Sequence, residues 1–472
     1  MAYTAAQIAI EGVTITSLEA FELICRPGEH AVLKLGGYVE EDQGENILYE
    51  LRGYEPLSVS VTEGEASTLL FGGVITHVKV TGAGQTSYIE LEASSRSLLM
   101  DIQKKSRSFQ DVSMTYGQLI AEIMKDYPQG DVRLSIADRP LGDIAVQYRE
   151  TDWEFLKRML SMLHAKVSCN QAAEVLQLYA GIPEGLPEQW LYKKQEVKKE
   201  MGAYDYWRQQ GAEVADVDFL VYTVETEWLA PLFDQMMIRN ETFLVRSSHC
   251  QLEKGLIHCT CELQKKQGMM EPRQYPMHLT GAALEGEIVD VQGEQVKVHL
   301  AIDNGRNDQD VYWFSFSTLS ASPDGSGWYY MPEKGDQVRV YFPSKYTGDV
   351  IAISAVSTYD GRSGDGPDKM GVTSTKSLSN RHGQELSMGE DGLCLKCSGG
   401  SACLNIGNDG SISLTAEKMI NISAQKDVVI SSETDMVFHG RQTVALCCTK
   451  GGQIILQDNG NLYIKGTEVL VD

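Results

Sequence analysis

The stretch "SISLTAEK" (411–418), "MINISAQK" (419–426), "DVVISSET" (427–434), "DMVFHGRQ" (435–442) is one pattern written four times in register. It continues as "TVALCCTK", "GGQIILQD", "NGNLYIKG" and "TEVLVD", down to residue 472. Every unit has an apolar residue at its fourth place: Leu414, Ile422, Ile430, Phe438, Leu446, Ile454, Leu462 and Leu470. The first five have another at the second place: Ile412, Ile420, Val428, Met436 and Val444. Positions two apart on a strand face the same side, so each octad predicts a short strand with two inward residues, then a turn. A fixed period of this kind marks a repeat architecture. Strands this short give a single chain nowhere to bury those residues. In a β-helix wound from several chains they meet along an axis, each worth roughly 1.5–3 kcal/mol when fully buried. The repeat therefore predicts an oligomer as well as a fold. It loosens towards its end, where the sixth and seventh units carry Gly at the second place. Upstream, Leu404 and Ile406 keep the phase, while Leu393, Leu395 and Cys397 are shifted.

Outward from the repeat, the pattern changes. A Gly-, Ser- and Asp-rich stretch, "TYDGRSGDGPDKMGV", reads as a linker over 359–385 and has too little apolar content for a core. Before it, 279–358 reads as a small barrel. "LEGEIVDVQGEQVKVHL" is a hairpin with apolar Ile288, Val296 and Val298 and its turn at Gln292-Gly293; "DVYWFSFST", "MPEKGDQVRVYF" and "DVIAISAV" supply three more strands. Five strands in eighty residues suit an OB-type barrel. Residues 1–100 alternate apolar and polar positions between Gly-containing turns, as in "HAVLKLGGYV" and "LLFGGVITHVKV". Strand signals return over 186–278, where the charged run "KKQEVKKE" (193–200) reads as a solvated loop.

The segment 101–185 has a helical period. "SMTYGQLIAEIMKDYP" puts Leu119, Ile120, Ile123 and Met124 on one stripe. In "QYRETDWEFLKRML" (147–160), Thr151 and Glu154 stand in the spacing of a capping box, where each side chain bonds the other's free backbone N–H. Trp153, Phe155, Leu156, Met159 and Leu160 then anchor the helix, and Lys157, Arg158 and Ser161 are expected to face water. Asp152 and Glu154 are the one carboxylate pair to weigh for acid–base work. At a helix start the positive end of the dipole accounts for both.

Composition narrows the function. A net charge of −24 excludes non-specific nucleic-acid binding, which rests on Lys and Arg contacts. No apolar run is long enough to cross a membrane as a helix, and "MAYTAAQIAIEGV" lacks the charged and apolar regions of a secretory leader. Synthesis in the cytoplasm is expected. Ten cysteines without regular spacing read as reduced, mostly buried thiols. No phosphate-binding loop, zinc-protease motif or nucleophile elbow is present. "CLKC" (394–397) lacks a second ligand pair for zinc, and "DNGRNDQD" (303–310) puts Gly305 where a calcium loop needs an oxygen. Neither a catalytic residue, a cofactor nor a metal is expected, so the chain reads as a non-enzyme.

Three features in this order, the strand–helix segment "VQYRETDWEFLKRML", the barrel ending in "EKGDQVRVYF" and "GDVIAISAV", and the octads, resemble the VgrG spike proteins of type VI secretion and the hub–spike proteins of contractile phage tails. The resemblance implies a mainly β chain with a small α+β portion: hub β-barrels, an OB barrel and a trimeric β-helix needle over 386–472. It implies a homotrimer that caps a hexameric inner tube, contacts baseplate proteins, carries a PAAR-type tip protein and non-covalent effector cargo, and pierces a target envelope from an assembled particle. The competing expectation is a trimeric tailspike that degrades polysaccharide, or an adhesin. The octads are too short to enclose a substrate groove, and their acids do not recur at a fixed place.

Overall fold

A computed structural model of the chain describes residues 3–470 apart from 84–85, 186, 189–190, 304–310, 329, 355–370, 381 and 469. The chain divides into two compact units, Met1–Ser357 and Thr358–Asp472. No helix among the described residues is long and apolar enough to cross a membrane.

Twelve strands of the first unit join in one sheet. Its N-terminal half runs, in spatial order, Ile8–Glu11, Pro56–Glu63, Ala66–Ala83, Thr86–Ser95, Val32–Glu40 and Ser17–Cys25. Ser17–Cys25 then pairs antiparallel with Glu241–Glu253, with Cys250 opposite Leu23, and the sheet continues through Leu256–Gln264 and Leu220–Thr226 to Tyr192–Lys199. The strands of 1–100, read as the first part of a hub barrel, and those of 186–278, read as a second barrel with return strands, share one sheet and one core, in which Leu33, Phe71 and Ile89 join the same cluster as Val224, Phe243 and Cys261. Each half leaves an unpaired strand edge, and joining the two satisfies both.

Two local expectations are corrected here. The run 193–200 is not a loop, because Tyr192–Lys199 is an edge strand of the sheet. Its charges hid the alternation, and they suit an edge, where Lys discourages pairing with another chain. Nor are all the thiols reduced. The register of Glu241–Glu253 with Leu256–Gln264 sets Cys250 opposite Cys259, and the two form a disulfide. Cys25, Cys169 and Cys261 are free and buried, and burial pushes Cys25 and Cys261 up to about 12.

Helices Tyr116–Met124 and Asp152–Ser161 pack with a three-stranded sheet of Val167–Cys169, Gln177–Gly181 and Asp131–Ser135. Thr115 caps the first helix, whose stripe buries Leu119, Ile120 and Ile123. Further along, Ala283–Gln292, Gln295–Leu300, Trp313–Phe316, Ile351–Ser354 and Gln337–Tyr341 close into a barrel in that order. Its first strand alternates exposed and buried residues at Leu284, Gly286 and Ile288, and Val296, Val298, Phe314, Val340 and Ala352 complete the core. The opening hairpin turns at Gly293, whose φ of 60° lies in the left-handed region that glycine tolerates. The calcium-like loop falls outside the described residues except for Asp303, which is buried.

The second unit opens with an antiparallel meander of Lys376–Ser379, Glu385–Gly389, Gly392–Cys397, Ala402–Gly407 and Ile412–Ala416. The expected linker 359–385 is thus too long: a strand occupies 376–379, and 359–370 lies outside the described residues. A second meander consists of Thr443–Cys447, Gln453–Gln457 and Leu462–Lys465. Between the two meanders, 417–442 has no strand pairing.

Candidate functional site

The helix Asp152–Ser161 begins at Thr151, whose hydroxyl accepts from the Glu154 N–H at 3.1 Å while the Thr151 N–H donates to the Glu154 carboxylate at 2.9 Å. Trp153, Phe155 and Leu156 are buried. Phe155 stacks on Phe109 with centroids 5.6 Å apart, and the Trp153 ring lies 4.7 Å, centroid to centroid, from that of His30, in the turn between two strands of the large sheet. His30 is tied to Ser97 at 2.7 Å and Asp101 at 3.2 Å. Burial lowers its pKa, with the Asp101 hydrogen bond and charge opposing.

The polar side of this helix departs from expectation. Arg158 and Ser161 are buried rather than facing water. Arg158 donates to both Glu150 oxygens, at 2.7 and 2.8 Å, and to the Val146 carbonyl at 2.7 Å. The Ser161 hydroxyl accepts from the Gln274 N–H at 2.8 Å, clasping the segment that leads into the barrel. Asp152 and Glu154 also part company. Glu154 is exposed, but Asp152 is fully buried, with Lys105 at 2.6 Å, Arg107 at 2.7 Å, the Tyr127 hydroxyl at 2.8 Å and Gln147 at 3.0 Å. Every donor points at one carboxylate, an arrangement that holds structure and leaves no oxygen free for proton transfer.

The strand before the helix, Ala145–Glu150, pairs with Lys105–Phe109. Its alternation serves two cores: Ala145 packs with Phe109 and Phe155 in the helical part, while Ile144 and Val146 pack with Leu284 and Phe314 in the barrel. Polar contacts follow the same seam. Asp303 of the barrel accepts from the Ser108 N–H at 2.5 Å and its hydroxyl at 2.7 Å, and Gln110 donates to the Val298 carbonyl at 3.2 Å. Helical part and barrel are therefore locked through one two-stranded sheet.

In the tail, bends fall at 417–418, 425–426, 433–434 and 441–442, the last two places of each octad. The extended segments between them have no strand partner in the chain, and every residue from 417 to 443 is exposed. Of the expected inward residues, Ile412, Leu414, Ile420, Ile422, Val428, Ile430, Met436, Phe438, Leu446, Ile454, Leu462 and Leu470 are exposed in the single chain, and Val444 is half-buried. Cys394 and Cys403 face each other across adjacent strands with sulfurs 3.4 Å apart. Among the described residues no set of three or more metal-binding side chains converges.

Residues 44–162, which include the capped helix, match the family model described as phage tail baseplate hub (GPD). Comparison with curated proteins gave no match. Among solved structures, the chain is similar to the E. coli c3393 protein, described as a type VI secretion component with structural similarity to the bacteriophage tail proteins gp27 and gp5. The TM-score is 0.52 at 12% identity, over 73% of this chain and 98% of that one. It is also similar to a chain of the half-lidded Francisella PdpA–VgrG complex, with a TM-score of 0.51 at 8% identity over 86% and 87% of the two chains. The lidless form of that complex gives 0.50 at 9% identity over 84% and 93%. The chain thus has a segment that matches the baseplate-hub family model and resembles VgrG-like proteins in fold.

Proposed function

We propose that this chain is the structural hub and spike of a contractile injection machine, capping the inner tube and piercing the target envelope mechanically. The observation that carries the reading is the stretch 417–442 of the tail: bends every eight residues, no strand partner within the chain, and apolar second and fourth places left in water. A contiguous apolar surface of this kind marks a protein interface. Three copies wound together pair the unpaired backbone and bury the apolar ladder along one axis, giving a needle whose stiffness comes from the shared core. The hub segment seats on a hexameric inner tube and baseplate proteins, while a PAAR-type tip protein and non-covalent cargo complete the assembly. The barrel order, first–second–third–fifth–fourth with the third and fifth strands parallel, supports an OB-type collar.

Light scattering on the folded chain is expected to give about 157 kDa, three times 52.2 kDa. A folded monomer overturns the needle. Ile422→Asp or Ile430→Asp is expected to abolish the trimer while the hub still unfolds cooperatively; unchanged assembly of both variants refutes the inward assignment of the fourth place.

A further inference from the structure

The first meander of the tail sorts its side chains by face. Its register sets Leu386, Leu395, Leu404 and Leu414 in one ladder, and Met388, Leu393, Ile406 and Ile412 in a second on the same side. The other side is polar. Ser387, Cys394, Asn405 and Ser413 form one row there, with Glu385, Lys396, Cys403 and Thr415 in the next. Cys394 and Cys403 are therefore diagonal neighbours on a single polar face. Their sulfurs lie 3.4 Å apart and both thiols are free. Cys397 belongs to the apolar side.

No other thiols of the chain share this setting. Cys250 and Cys259 are already joined and are buried. Cys25 and Cys261 are buried as well, and desolvation pushes both up to about 12, which removes the thiolate that exchange requires. Cys394 and Cys403 are only half-buried. Cys394 lines an open cavity of about 810 Å³, and Cys403 does not. Ser387, Asn405 and Ser413 line that cavity beside it, with the carboxylates of Glu390, Asp391 and Asp409, and among the described residues no cation lines it. Lys396, opposite Cys403 and outside the cavity, pairs with Glu385 at 3.5 Å. The hydrogen bond with Cys394 raises the pKa of the Cys403 thiol, so Cys403 keeps its proton longer. Access and protonation thus set one order: Cys394 reacts first and Cys403 second.

We propose that Cys394 and Cys403 form a reversible dithiol–disulfide site, whose co-substrate is a small disulfide bearing amines rather than carboxylates and reaching Cys394 through the cavity. The Cys394 thiolate attacks one sulfur of the small disulfide, whose S–S bond breaks. The thiolate released takes up a proton, and a mixed disulfide is left on Cys394. Cys403 then gives up its proton, its sulfur attacks Cys394 Sγ, and the second small thiolate leaves and is protonated. Two protein thiols and one small disulfide become one protein disulfide and two small thiols, with two electrons passing to the oxidant. Excess small thiol runs the sequence backwards. The new bond ties Gly392–Cys397 to Ala402–Gly407 and leaves the apolar ladders untouched. This site stands independently of the needle.

The test treats the full, assembled chain with cystamine, an amine-bearing disulfide, and in parallel with oxidised glutathione, whose net charge is negative. Remaining thiols are then alkylated and the peptides mapped by mass spectrometry without reduction. Cystamine is expected to cross-link Cys394 to Cys403 within one chain, several-fold faster than oxidised glutathione, and excess cysteamine to reverse it. Cys403→Ser is expected to stop at the mixed disulfide on Cys394. Cys394→Ser is expected to leave Cys403 reacting several-fold slower, and Cys397→Ser to change nothing. The cross-link is expected to slow protease cleavage between the two strands several-fold, because it closes their turn into a loop. Free Cys394 and Cys403 after excess cystamine overturn the proposal. So does a cross-link that joins two chains or runs to Cys397, Cys447 or Cys448. Equal rates with the two disulfides overturn the cavity as the route to Cys394.

Discussion

Two acids that stand two apart in sequence have opposite fates. Glu154 caps from solvent, and Glu154→Ala is expected to cost about 0.3–1 kcal/mol. Asp152 has no exposure and four side-chain donors. Asp152→Ala removes the buried partner of Arg107 and leaves it only the half-exposed Asp126, with an expected loss of about 3 kcal/mol in denaturant unfolding of the full chain. The cap was legible because Thr151 and Glu154 are three apart, but the Asp152–Arg107 pair spans forty-five residues, and a charged side chain reads locally as solvent-facing. The same blindness hid the burial of Arg158. His30 yields a pH prediction. Its pKa falls below the ordinary 6.5 in the folded chain because it is buried against Trp153, with Ser97, Asp101 and Lys157 around it. Below that ordinary value the unfolded chain takes up a proton the folded chain refuses. Stability is therefore complete above it and declines as pH falls towards the lowered value. Urea midpoints compared between about pH 5 and 7.5 are expected to show this slope, and His30→Asn to flatten it.

At the scale of elements, the antiparallel pair of Lys105–Phe109 and Ala145–Glu150 couples the helical part to the barrel. Asp303→Ala leaves the Ser108 N–H and hydroxyl without their acceptor. The expected cost is about 1–3 kcal/mol, with earlier protease cleavage near the barrel and the large sheet unaffected. Phe155→Ala, at the stacked pair with Phe109, is expected to cost about 3–5 kcal/mol and to loosen both sides of the seam. The barrel's five strands were legible from alternation and the Gln292-Gly293 turn. The single large sheet was not, since pairing Ser17–Cys25 with Glu241–Glu253 joins segments more than two hundred residues apart. The Cys250–Cys259 disulfide follows from strand register, which spacing alone does not reveal.

At the scale of the molecule, the octad period was the clearest signal in the chain, because an apolar residue recurs without exception at the fourth place. What one chain adds is the placement of the bends at the seventh and eighth places, with extended, unpartnered backbone between them. That regularity makes tail length a count in whole octads. Deleting 427–434 splices two like junctions and keeps every face in phase, so the proposed needle shortens by one step and still assembles. Deleting 427–433 instead leaves the following units one place out of phase and turns their apolar residues to the opposite face. In the proposed needle, reach is then set as a ruler is cut, by whole graduations, with no new residue contact required.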